Sequence, residues 1–401
     1  MAIVVQKYGG TSVESIEKMK QIANRIINRK NQGDDLVIVV SAMGKTTNYL
    51  TSIATQISSR PCTREMDVLL STGEQVTISL LSMILKERGY PSISLTGYQA
   101  GISTSGTHTK NKINDVNTEK IKNHIDQGKI VIVAGFQGIN ESGDITTLGR
   151  GGSDTTAVAL ASKLRCRCEI YTDVTGIYSV DPRLYKHAKK LKEVSYEEMM
   201  EMSSLGANIM EPRSVEIASK FNIVVYVASS SDEEEGSYIK ERINMIEEKS
   251  ITGLTVNDDI LMVTLVDVPY SSRTIATIFS NLAKNEVNVD MISQTSPQDE
   301  KVNISFTAPG DQVVLIEEAL MEIKTIVGTL EIIIDRGCIK LSVVGIGMRN
   351  QSGIAAEIFR LFALHDINFK QVTTSEISIS YTINNEDKER AVTLLADEFN
   401  L

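Results

Sequence analysis

The sequence predicts an α/β protein with a mostly parallel sheet covered by helices, followed by two smaller modules of strands and helices. Three observations predict this fold class. Short runs that are apolar throughout alternate with helical patterns in the first part of the chain, which is typical of strands buried on both faces. Glycine-rich segments follow several of these strands. The last part of the chain carries a β-α-β-β-α-β pattern twice, the second time one strand short.

The composition narrows the class of protein. At 401 residues, the chain is long enough for two or three domains, each with its own core. The net charge is −10 and no face rich in lysine or arginine stands out, which argues against nucleic acid as a partner. No apolar run reaches the length of a membrane span, and no leader precedes the first strand. Four scattered cysteines fit a reducing compartment, so we expect a cytoplasmic protein without a membrane partner.

Strands and helices alternate along the first 230 residues. Apolar runs predict the strands, and apolar residues three or four positions apart predict the helices. The predicted strands are 2–6, 36–40, 93–95, 130–134, 169–172 and 224–227. The predicted helices are 13–31, 67–87, 155–164, 196–202 and 212–221. The polar, glycine-rich stretch 97–111 is predicted as a surface loop or flap.

Four polar side chains come after the ends of predicted strands. Lys7 follows the first strand, Ser41 the second, and Asp173 the strand 169–172. Arg150 stands in the glycine-rich segment beyond the strand 130–134. Ligands of parallel sheets lie beyond the carboxyl ends of the strands, so we expect these side chains to converge on one crevice.

The segment 146–152 is predicted to bind an anion. Its glycines permit positive φ, and the start of the following helix presents free backbone N–H groups. Ser153 and Asp154 are predicted as residues that cap this helix. A tight turn needs neither Arg150 nor Asp154, so both favour a binding function for the loop.

Two similar modules are predicted beyond residue 251. The first module has predicted strands at 260–268, 289–294, 302–307 and 329–335, and helices at 274–284 and 312–324. The second has predicted strands at 338–344, 368–373 and 377–383, and helices at 353–364 and 387–399. The second module lacks one strand, and the unpaired run 251–257 is available to complete it. We therefore expect the first module, about 260–336, to be inserted within the second, which comprises 251–257 and 337–401.

At this point four segments, in this order along the chain, resemble those of the aspartate kinases. They are 7–12, 71–74, 147–154 and 172–183. The carboxyl-terminal modules resemble the paired ACT domains of that family, and no dehydrogenase follows them, as in its monofunctional members. The resemblance implies a three-layer αβα amino-acid-kinase-like domain at 1–230, a linker at 231–250 and a tandem ACT region at 251–401.

The resemblance implies transfer of a phosphoryl group from ATP to the side-chain carboxylate of L-aspartate. That carboxylate is ionised at neutral pH, so the site needs positive charge and orientation rather than a general base. The resemblance implies Lys7 and Asp154 as catalytic residues. Lys7 is implied to contact the transferring phosphoryl group, and Asp154 to orient Lys7 or the phosphates. The implied ATP-binding residues are Lys7, Tyr8, Gly9, Gly10, Thr172, Asp173, Tyr178, Asp181 and Arg183. The implied aspartate-binding residues are Ser41, Thr47, Glu74, Arg150, Gly151, Gly152 and Ser153.

Two of the aspartate-binding assignments have a direct chemical reason. Arg150 suits bidentate contact with a substrate carboxylate, which lysine makes less well. Glu74 suits pairing with the substrate ammonium group. Mg²⁺ is implied as a companion of ATP, held by phosphates and water, so we expect no metal site built by the protein alone.

The ACT-like modules imply an amino-acid effector, lysine or threonine, and a homodimer or dimer of dimers formed through these modules. The candidate effector-binding residues are Asp290, Met291, Gln294, Thr374 and Glu376. The loop 267–273 lacks the Pro-Gly turn usual in such modules, whereas Gly353 keeps the glycine in the second.

One departure from the family keeps an alternative function open. Asn208 stands where the family usually has a lysine that contacts a nucleotide phosphate. Arg183 or Arg213 could replace that charge. The alternative is an amino-acid sensor that keeps the kinase fold but has lost ATP binding. A sibling kinase acting on glutamate, acetylglutamate or UMP is the third hypothesis, against which Arg150, Glu74 and the paired modules weigh.

Overall fold

The computed structural model describes residues 2–207, 209–241, 250–328 and 331–401. These residues form two compact units. One comprises 2–177, 190–203 and 209–241, and the other comprises 178–189, 204–207 and the described residues from 250 to 401. The fold class is confirmed as α/β, with a mostly parallel central sheet in the first unit and two four-stranded antiparallel sheets in the second.

The first unit follows the predicted alternation of strands and helices. Its strands are β1 Ile3–Tyr8, β2 Asp35–Val40, β3 Ser92–Leu95, β4 Ile102–Ser105, β5 Lys112–Val116, β6 Ile130–Ala134, β7 Gln137–Ile139, β8 Ile145–Thr147, β9 Arg167–Thr172, β10 Ile177–Tyr178, β11 Lys190–Leu191, β12 Glu193–Val194, β13 Val225–Ser229 and β14 Ser237–Ile239. Its helices are α1 Ile16–Asn31, α2 Thr46–Ile57, α3 Thr63–Glu87, α4 Glu119–Asp126, α5 Gly152–Leu164, α6 Tyr196–Ser204 and α7 Pro212–Phe221.

The central sheet has eight strands in the order β12-β14-β13-β9-β1-β2-β6-β3. All neighbours from β13 to β3 whose register is given run parallel, and β13 and β14 run antiparallel. Along β2, Leu36, Ile38 and Val40 pack in one core with α1 and α3, while Val37 and Val39 are buried toward the opposite face. Helix α5 contacts β1, β2 and β9. The continuous apolar runs therefore reflect strands covered on both faces.

Helix α3 is the longest helix described. It has 25 residues and is, by length and composition, the one described helix apolar enough to cross a membrane. Half of the most apolar stretch of this helix is buried inside the structure. Ile78, Leu81 and Leu85 belong to the core that the helix shares with the sheet. This pattern is that of a core helix.

Three local predictions differ from the structure. The stretch 97–111 is only partly a loop, because it contains β4, which joins a small sheet in the order β5-β4-β7-β8. Helices α2 and α4 were not predicted, and the residues of α2, Thr46–Ile57, mix polar and apolar positions. Strands β7 and β8, which were not predicted, lie between β6 and the glycine-rich loop.

The start of α5 also differs from the prediction. The residue that caps it is Gly151, with φ of +61°, and Ser153 and Asp154 lie in the first turn. A left-handed backbone at this point is accessible to glycine at little cost. Neither Ser153 nor Asp154 caps the helix, and the helix geometry sets the direction of both side chains.

The second unit contains two sheets of four strands. Its elements are β15 Gly253–Asn257, β16 Ile260–Pro269, α8 Ser272–Lys284, β17 Asp290–Gln294, β18 Lys301–Pro309, α9 Val313–Val327, β19 Glu331–Asp335, β20 Cys338–Val344, α10 Ile354–Leu364, β21 Phe369–Thr374, β22 Ser378–Asn384 and α11 Lys388–Glu398. One sheet has the order β17-β18-β16-β19 and the other β15-β20-β22-β21. Strand β15 precedes the whole first sheet in the chain yet pairs with β20 of the second sheet.

Candidate active site

One cavity lies beyond the carboxyl ends of β1 and β2. Its volume is about 420 Å³. Ten of the predicted site residues line it: Lys7, Gly10, Ser41, Thr47, Glu74, Arg150, Gly151, Gly152, Ser153 and Asp154. The remaining lining residues are Ala42, Gly44, Asn48, Leu70, Thr109, Phe136, Thr147 and Gly149. The structure therefore brings the predicted aspartate-binding set together with both predicted catalytic residues.

Lys7 and Asp154 form an ion pair in this cavity. The distance from Lys7 Nζ to Asp154 Oδ1 is 2.6 Å, and the two side chains are only 11% and 10% exposed. Lys7 comes from the end of β1 and Asp154 from the first turn of α5, a helix that contacts β1. The pair places a cation that is fixed in position, and largely shielded from water, at the cavity wall.

Glu74 carries a carboxylate with one unused oxygen. Its Oε1 accepts a hydrogen bond of 3.1 Å from the backbone N–H of Ala42. Its Oε2 is buried and has no hydrogen-bond partner among the residues that the structure describes. Burial raises the pKa of Glu74 to about 8, against the lowering effect of the backbone N–H groups. A group with positive charge and N–H donors would satisfy this oxygen and favour its ionised form.

Residues outside the cavity lining hold the loop that carries Arg150 in place. Arg213 donates from Nη2 to the carbonyl of Leu148, and Nη1 donates to the carbonyl of Asn111 at 3.3 Å. A Cβ atom on Gly151 would lie 2.3 Å from the side chain of Glu211, so only glycine fits there. Arg213 is thus engaged in holding the loop, and this argues against its use as a substitute for the missing lysine of the family.

Two predicted ATP-binding residues of β1 and its following turn lie outside the cavity lining. The side chain of Tyr8 is fully buried, stacks on Tyr171 with ring centroids 5.1 Å apart and donates to Gln6. The Tyr8 side chain packs in the core, and the assignment of this residue to ATP binding remains a prediction from the resemblance. The backbone N–H of Gly9 donates to the carbonyl of Tyr171.

The other predicted ATP-binding residues also lie outside this lining. Thr172 and Asp173 follow β9, the strand next to β1, and the Thr172 hydroxyl donates to Asp173. Asp181 and Arg183 form an ion pair of 2.6 Å and belong to the second unit, which begins at Tyr178, the last residue of β10. Their role in nucleotide binding remains a prediction from the resemblance. Asn208, on which the sensor hypothesis depends, lies outside the described residues.

Among the candidate effector residues, Asp290 and Met291 contact the other module. Asp290 pairs with Lys340, whose side chain is 4% exposed, and the carbonyl of Met291 accepts from Gln371. Gln294 ends β17 and Thr374 ends β21, while Glu376 lies between β21 and β22 and pairs with Arg349 at 3.1 Å. Asp290 and Met291 thus lie where the two sheets meet.

Eight residues of the cavity lining were not among the predicted binding and catalytic residues. They are Ala42, Gly44, Asn48, Leu70, Thr109, Phe136, Thr147 and Gly149. Two of the non-glycine residues have a positive φ, 70° at both Thr109 and Phe136, which is uncommon for residues with bulky side chains. Asn48 could have been predicted as a cavity residue from its position next to Thr47 and seven residues after Ser41. No composition or periodicity signals a positive φ at threonine or phenylalanine.

Comparison with known proteins bears on this site. The model of the amino acid kinase family matches residues 2–229, and the model of an ACT domain matches residues 341–399. An aspartokinase of Bacillus sp. (strain MGA3) is 47% identical over 402 residues, covering 100% of this chain and 98% of that protein. Aspartokinase 2 of Bacillus subtilis (strain 168) is 47% identical over 405 residues with the same coverage.

Solved structures show the same fold. E. coli aspartokinase III, in complex with aspartate and ADP, superposes with a TM-score of 0.83 at 24% identity, covering 98% of this chain and 99% of that one. The aspartate kinase of Synechocystis is 39% identical with a TM-score of 0.56, covering 100% of this chain and 69% of that one.

Proposed function

The chain belongs to the aspartate kinases of the amino acid kinase family, and from this premise we propose how its cavity binds and phosphorylates the substrate. It is an ATP-dependent phosphotransferase with a carboxyl group as acceptor. We assign catalysis to residues 1–230 and regulation to the tandem modules at 251–401, joined by a linker at 231–250. One observation carries the proposal: a single cavity combines the Lys7–Asp154 pair, Arg150 and a buried Glu74 oxygen that lacks a partner in the described structure.

We place L-aspartate between Arg150 and Glu74. The guanidinium of Arg150 binds one substrate carboxylate through two parallel hydrogen bonds. Glu74 accepts from the substrate ammonium group, which satisfies its Oε2. The hydroxyls of Ser41, Thr47 and Ser153 and the backbone at Gly151 and Gly152 complete the binding of the amino acid. This arrangement supplies each charged group of aspartate with a partner of opposite sign or a donor.

Phosphoryl transfer needs little proton chemistry in this arrangement. The side-chain carboxylate of aspartate attacks the γ-phosphorus of ATP, a new O–P bond forms, and the bond to the β-phosphate oxygen breaks to release ADP. The product is 4-phospho-L-aspartate, the first intermediate toward lysine, threonine and methionine. Lys7 reduces the repulsion between the two anions, and Asp154 fixes Lys7 in place. No residue has to remove a proton from the nucleophile, because its pKa is near 3.9.

We place the phosphates of ATP over the ends of β1 and β9, where Gly9, Gly10, Thr172 and Asp173 lie. Tyr178, Asp181 and Arg183 are assigned to the nucleotide by resemblance. The described residues contain no group of three or more metal-ligating side chains, and in the cavity Asp154 is already paired with Lys7. This donor set fits Mg²⁺ carried mainly by phosphates and water, which supplies positive charge to the phosphoryl group when bound.

Trapping with hydroxylamine tests the proposed reaction. Purified protein with ATP, Mg²⁺ and L-aspartate should form aspartyl hydroxamate, because hydroxylamine attacks the acyl phosphate. A panel with L-glutamate, acetylglutamate and UMP as acceptors should give no product above background. Product from one of these acceptors but not from aspartate would contradict the proposal. Titration with an ATP analogue separately tests the sensor alternative, which predicts no binding.

We also propose feedback regulation by lysine or threonine at the ACT modules of a cytoplasmic homodimer or dimer of dimers. Supporting this, buried polar atoms at Gln371 Oε1 and Thr307 Oγ1 lack hydrogen-bond partners within the described residues. Gln371 contacts Met291 and Ser293 of the neighbouring sheet, so an ammonium or hydroxyl group at this junction would satisfy its amide oxygen. Initial rates with lysine, threonine and both together test the effector, and the absence of inhibition in all three would contradict it.

A further inference from the structure

A buried carboxylate outside the proposed reaction lies behind one wall of the cavity. Asp67 has an exposure of 0%, and it belongs to α3, the helix that carries Glu74. Residues seven positions apart lie on the same face of a helix, so Asp67 and Glu74 both face the cavity side. Asp67 itself does not line the cavity, and the proposed chemistry does not use it.

The carboxylate of Asp67 connects two other segments of the chain. Its Oδ1 accepts from the backbone N–H of Thr109 at 3.0 Å and from the hydroxyl of Thr147 at 2.5 Å. Its Oδ2 lies 2.6 Å from Nδ1 of His108. A buried carboxylate is costly unless hydrogen bonds and charge compensate for its desolvation, and here all three partners come from segments next to the cavity. Both Thr109 and Thr147 line it.

The backbone of Thr109 is strained at this contact. Its φ is +70°, in the left-handed region, which is disfavoured for a β-branched residue. Such a conformation persists only where the surroundings hold it. The hydrogen bond from its N–H to Asp67 is one such restraint, and the N–H of Asn111 adds another by donating to the carbonyl of Thr147 at 3.0 Å.

The strained residue also packs against the Arg150 loop. A Cβ atom on Gly149 would lie 3.2 Å from the carbonyl oxygen of Thr109, and Gly149 itself has a φ of +78°. The loop 107–111 and the loop before α5 therefore touch beside Arg150. A displacement of Thr109 would open the wall next to the residue assigned to the substrate carboxylate.

We propose that Asp67 is a positioning residue for the aspartate site, holding the loop 107–111 against Thr147 so that the cavity wall beside Arg150 is formed before substrate binds. The proposal rests on the placement of aspartate in this cavity. It implies that Asp67 acts through Thr109 and His108 and touches neither substrate. Its loss therefore raises the KM for aspartate and leaves the KM for ATP almost unchanged.

Steady-state kinetics of four variants test this role. Asp67→Ala should raise the KM for aspartate about ten-fold or more, since a misplaced binding wall costs up to about a hundred-fold in such sites. Asp67→Asn should recover most of this loss, because its amide oxygen can still accept from Thr109 and Thr147. His108→Ala should raise the KM for aspartate about three-fold. It removes one of the three contacts of Asp67, and His108 itself lies outside the cavity lining.

Glu65→Ala is the matched control. Glu65 lies on the same helix, is exposed and pairs with Arg64, so its loss should change neither KM. An aspartate KM within two-fold of wild type for Asp67→Ala would overturn the proposal. So would a rise of both KM values together with a lower melting temperature, which would indicate a structural role alone. If Asp67→Ala does not fold, His108→Ala decides, and an unchanged aspartate KM contradicts the proposal.

The companion variant Arg150→Ala separates this proposal from the placement of the substrate. If Arg150→Ala leaves the aspartate KM unchanged, the placement of aspartate is wrong. If Arg150→Ala raises that KM and Asp67→Ala does not, only the role of Asp67 fails.

Discussion

Glu74 links the protonation state of the cavity to substrate binding. Burial holds its pKa at about 8, so its carboxyl group is mostly protonated at neutral pH in the free enzyme. An ammonium group binds to the ionised form, and below pH 8 its binding must displace the proton. The raised pKa of Glu74 also makes the stability of the protein depend on pH. Because the pKa is higher in the folded state, the protonated form of Glu74 contributes to stability at low pH. This contribution is lost as pH rises through about 8.

We therefore predict that the KM for aspartate falls as pH rises from 6.5 to 8.5. The expected change is on the order of ten-fold, because each unit of pH below the pKa reduces the ionised fraction about ten-fold. The KM for ATP measured in the same series is the control and should change little. Glu74→Gln should raise the aspartate KM and flatten its pH dependence. A wild-type profile that is already flat would show that Glu74 does not bind the ammonium group.

Lys7 is the second residue with a direct prediction. Lys7→Met should reduce kcat by about 10²- to 10³-fold, the usual cost of removing one group that stabilises transition-state charge. Asp154→Asn keeps a hydrogen-bond acceptor for Lys7 and should reduce kcat less. The measurement is hydroxamate formation at saturating aspartate and ATP. If kcat of Lys7→Met stays within a factor of about five of wild type, the phosphoryl group is stabilised by another cation.

Chain position predicted Arg150 as a cavity residue and the resemblance implied Glu74, but neither could predict Asp67. Glu74 and Arg150 have charges that match a ligand, and both occur in recognisable segments. Asp67 acts through contacts with Thr109 and Thr147, which lie 42 and 80 residues away in the chain. Such contacts arise from the packing of three segments, and no local pattern of residues encodes them.

Helix α3 shows how an element positions the cavity. Gly73, beside Glu74, lies so close to the turn after β2 that a Cβ atom would be 2.8 Å from the Cβ of Ala42. Glycine in a helix interior is normally disfavoured relative to alanine by about 0.5–1 kcal/mol. The close approach here outweighs that preference, since it allows Glu74 to bind the N–H of Ala42.

Gly73→Ala is expected to reduce the free energy of unfolding and weaken aspartate binding together. Overpacking costs about 1–3 kcal/mol, which exceeds the gain in helix propensity. Urea denaturation measures the first effect and the KM for aspartate the second. Thr72→Ala is the control, because Thr72 is exposed on the same helix and its loss should not decrease stability by more than about 0.5 kcal/mol. A Gly73→Ala variant as stable and active as wild type would contradict the close packing.

Strands β1 and β9 are joined by a buried polar network under α1. Glu169 is 2% exposed and accepts from Gln6 at 2.8 Å, Tyr171 at 3.0 Å and Arg29 at 3.3 Å. Arg167 pairs with it at 2.5 Å. These strands carry Lys7 and Thr172 at their ends, so the network fixes the elements from which the proposed phosphate contacts start.

We predict that Glu169→Ala destabilises the fold by about 3 kcal/mol or more, because the buried amide of Gln6 and hydroxyl of Tyr171 each lose their acceptor. The arginines are partly exposed and can turn to water. Arg167→Ala, whose side chain is 44% exposed, should cost less than about 1 kcal/mol. Urea denaturation of both variants compares the two values. Equal losses would show that the exposed arginine, rather than the buried acceptor, is the main contributor.

At the scale of elements, the apolar periodicities predicted most strands and helices to within a few residues. They missed α2, whose polar residues conceal its packing against α3, and the small sheet of β4, β5, β7 and β8, whose strands are short and polar. Short polar strands gain their stability from pairing with distant partners, as β4 does with β7. Local sequence therefore carries little signal for them.

The described residues form one unit with a mostly parallel sheet and a second unit in which two antiparallel sheets interleave along the chain. Strand β15 pairs with β20 through a register that runs from Gly253 with Val344 to Asn257 with Lys340. Between these two strands the chain builds the complete first module. The sequence pattern was enough to predict this pairing, because the second β-α-β-β-α-β pattern stops one strand short and the run 251–257 has no place in the first.

Coupling between effector and catalysis requires two states to which the effector binds unequally. We predict that disrupting the junction of the two sheets reduces inhibition without loss of the basal rate. Gln371→Ala removes the contacts to Met291 and Ser293, and it should raise the effector concentration for half-inhibition by about ten-fold or more. Glu317→Ala is the control, because Glu317 forms an exposed ion pair with Arg336 and is not among the candidate effector residues. Inhibition that is unchanged in Gln371→Ala would place the effector elsewhere.

The central claim is that one cavity holds aspartate by Arg150 and Glu74 next to the cation Lys7. The most direct test is the rate of hydroxamate formation by Arg150→Ala over a range of aspartate and ATP concentrations. We predict an increase of about 10- to 100-fold in the KM for aspartate, since hydrogen bonds to charged groups contribute about 1.5–3 kcal/mol, and an ATP KM within two-fold of wild type. An unchanged KM for aspartate, or an increase confined to the KM for ATP, would contradict the claim.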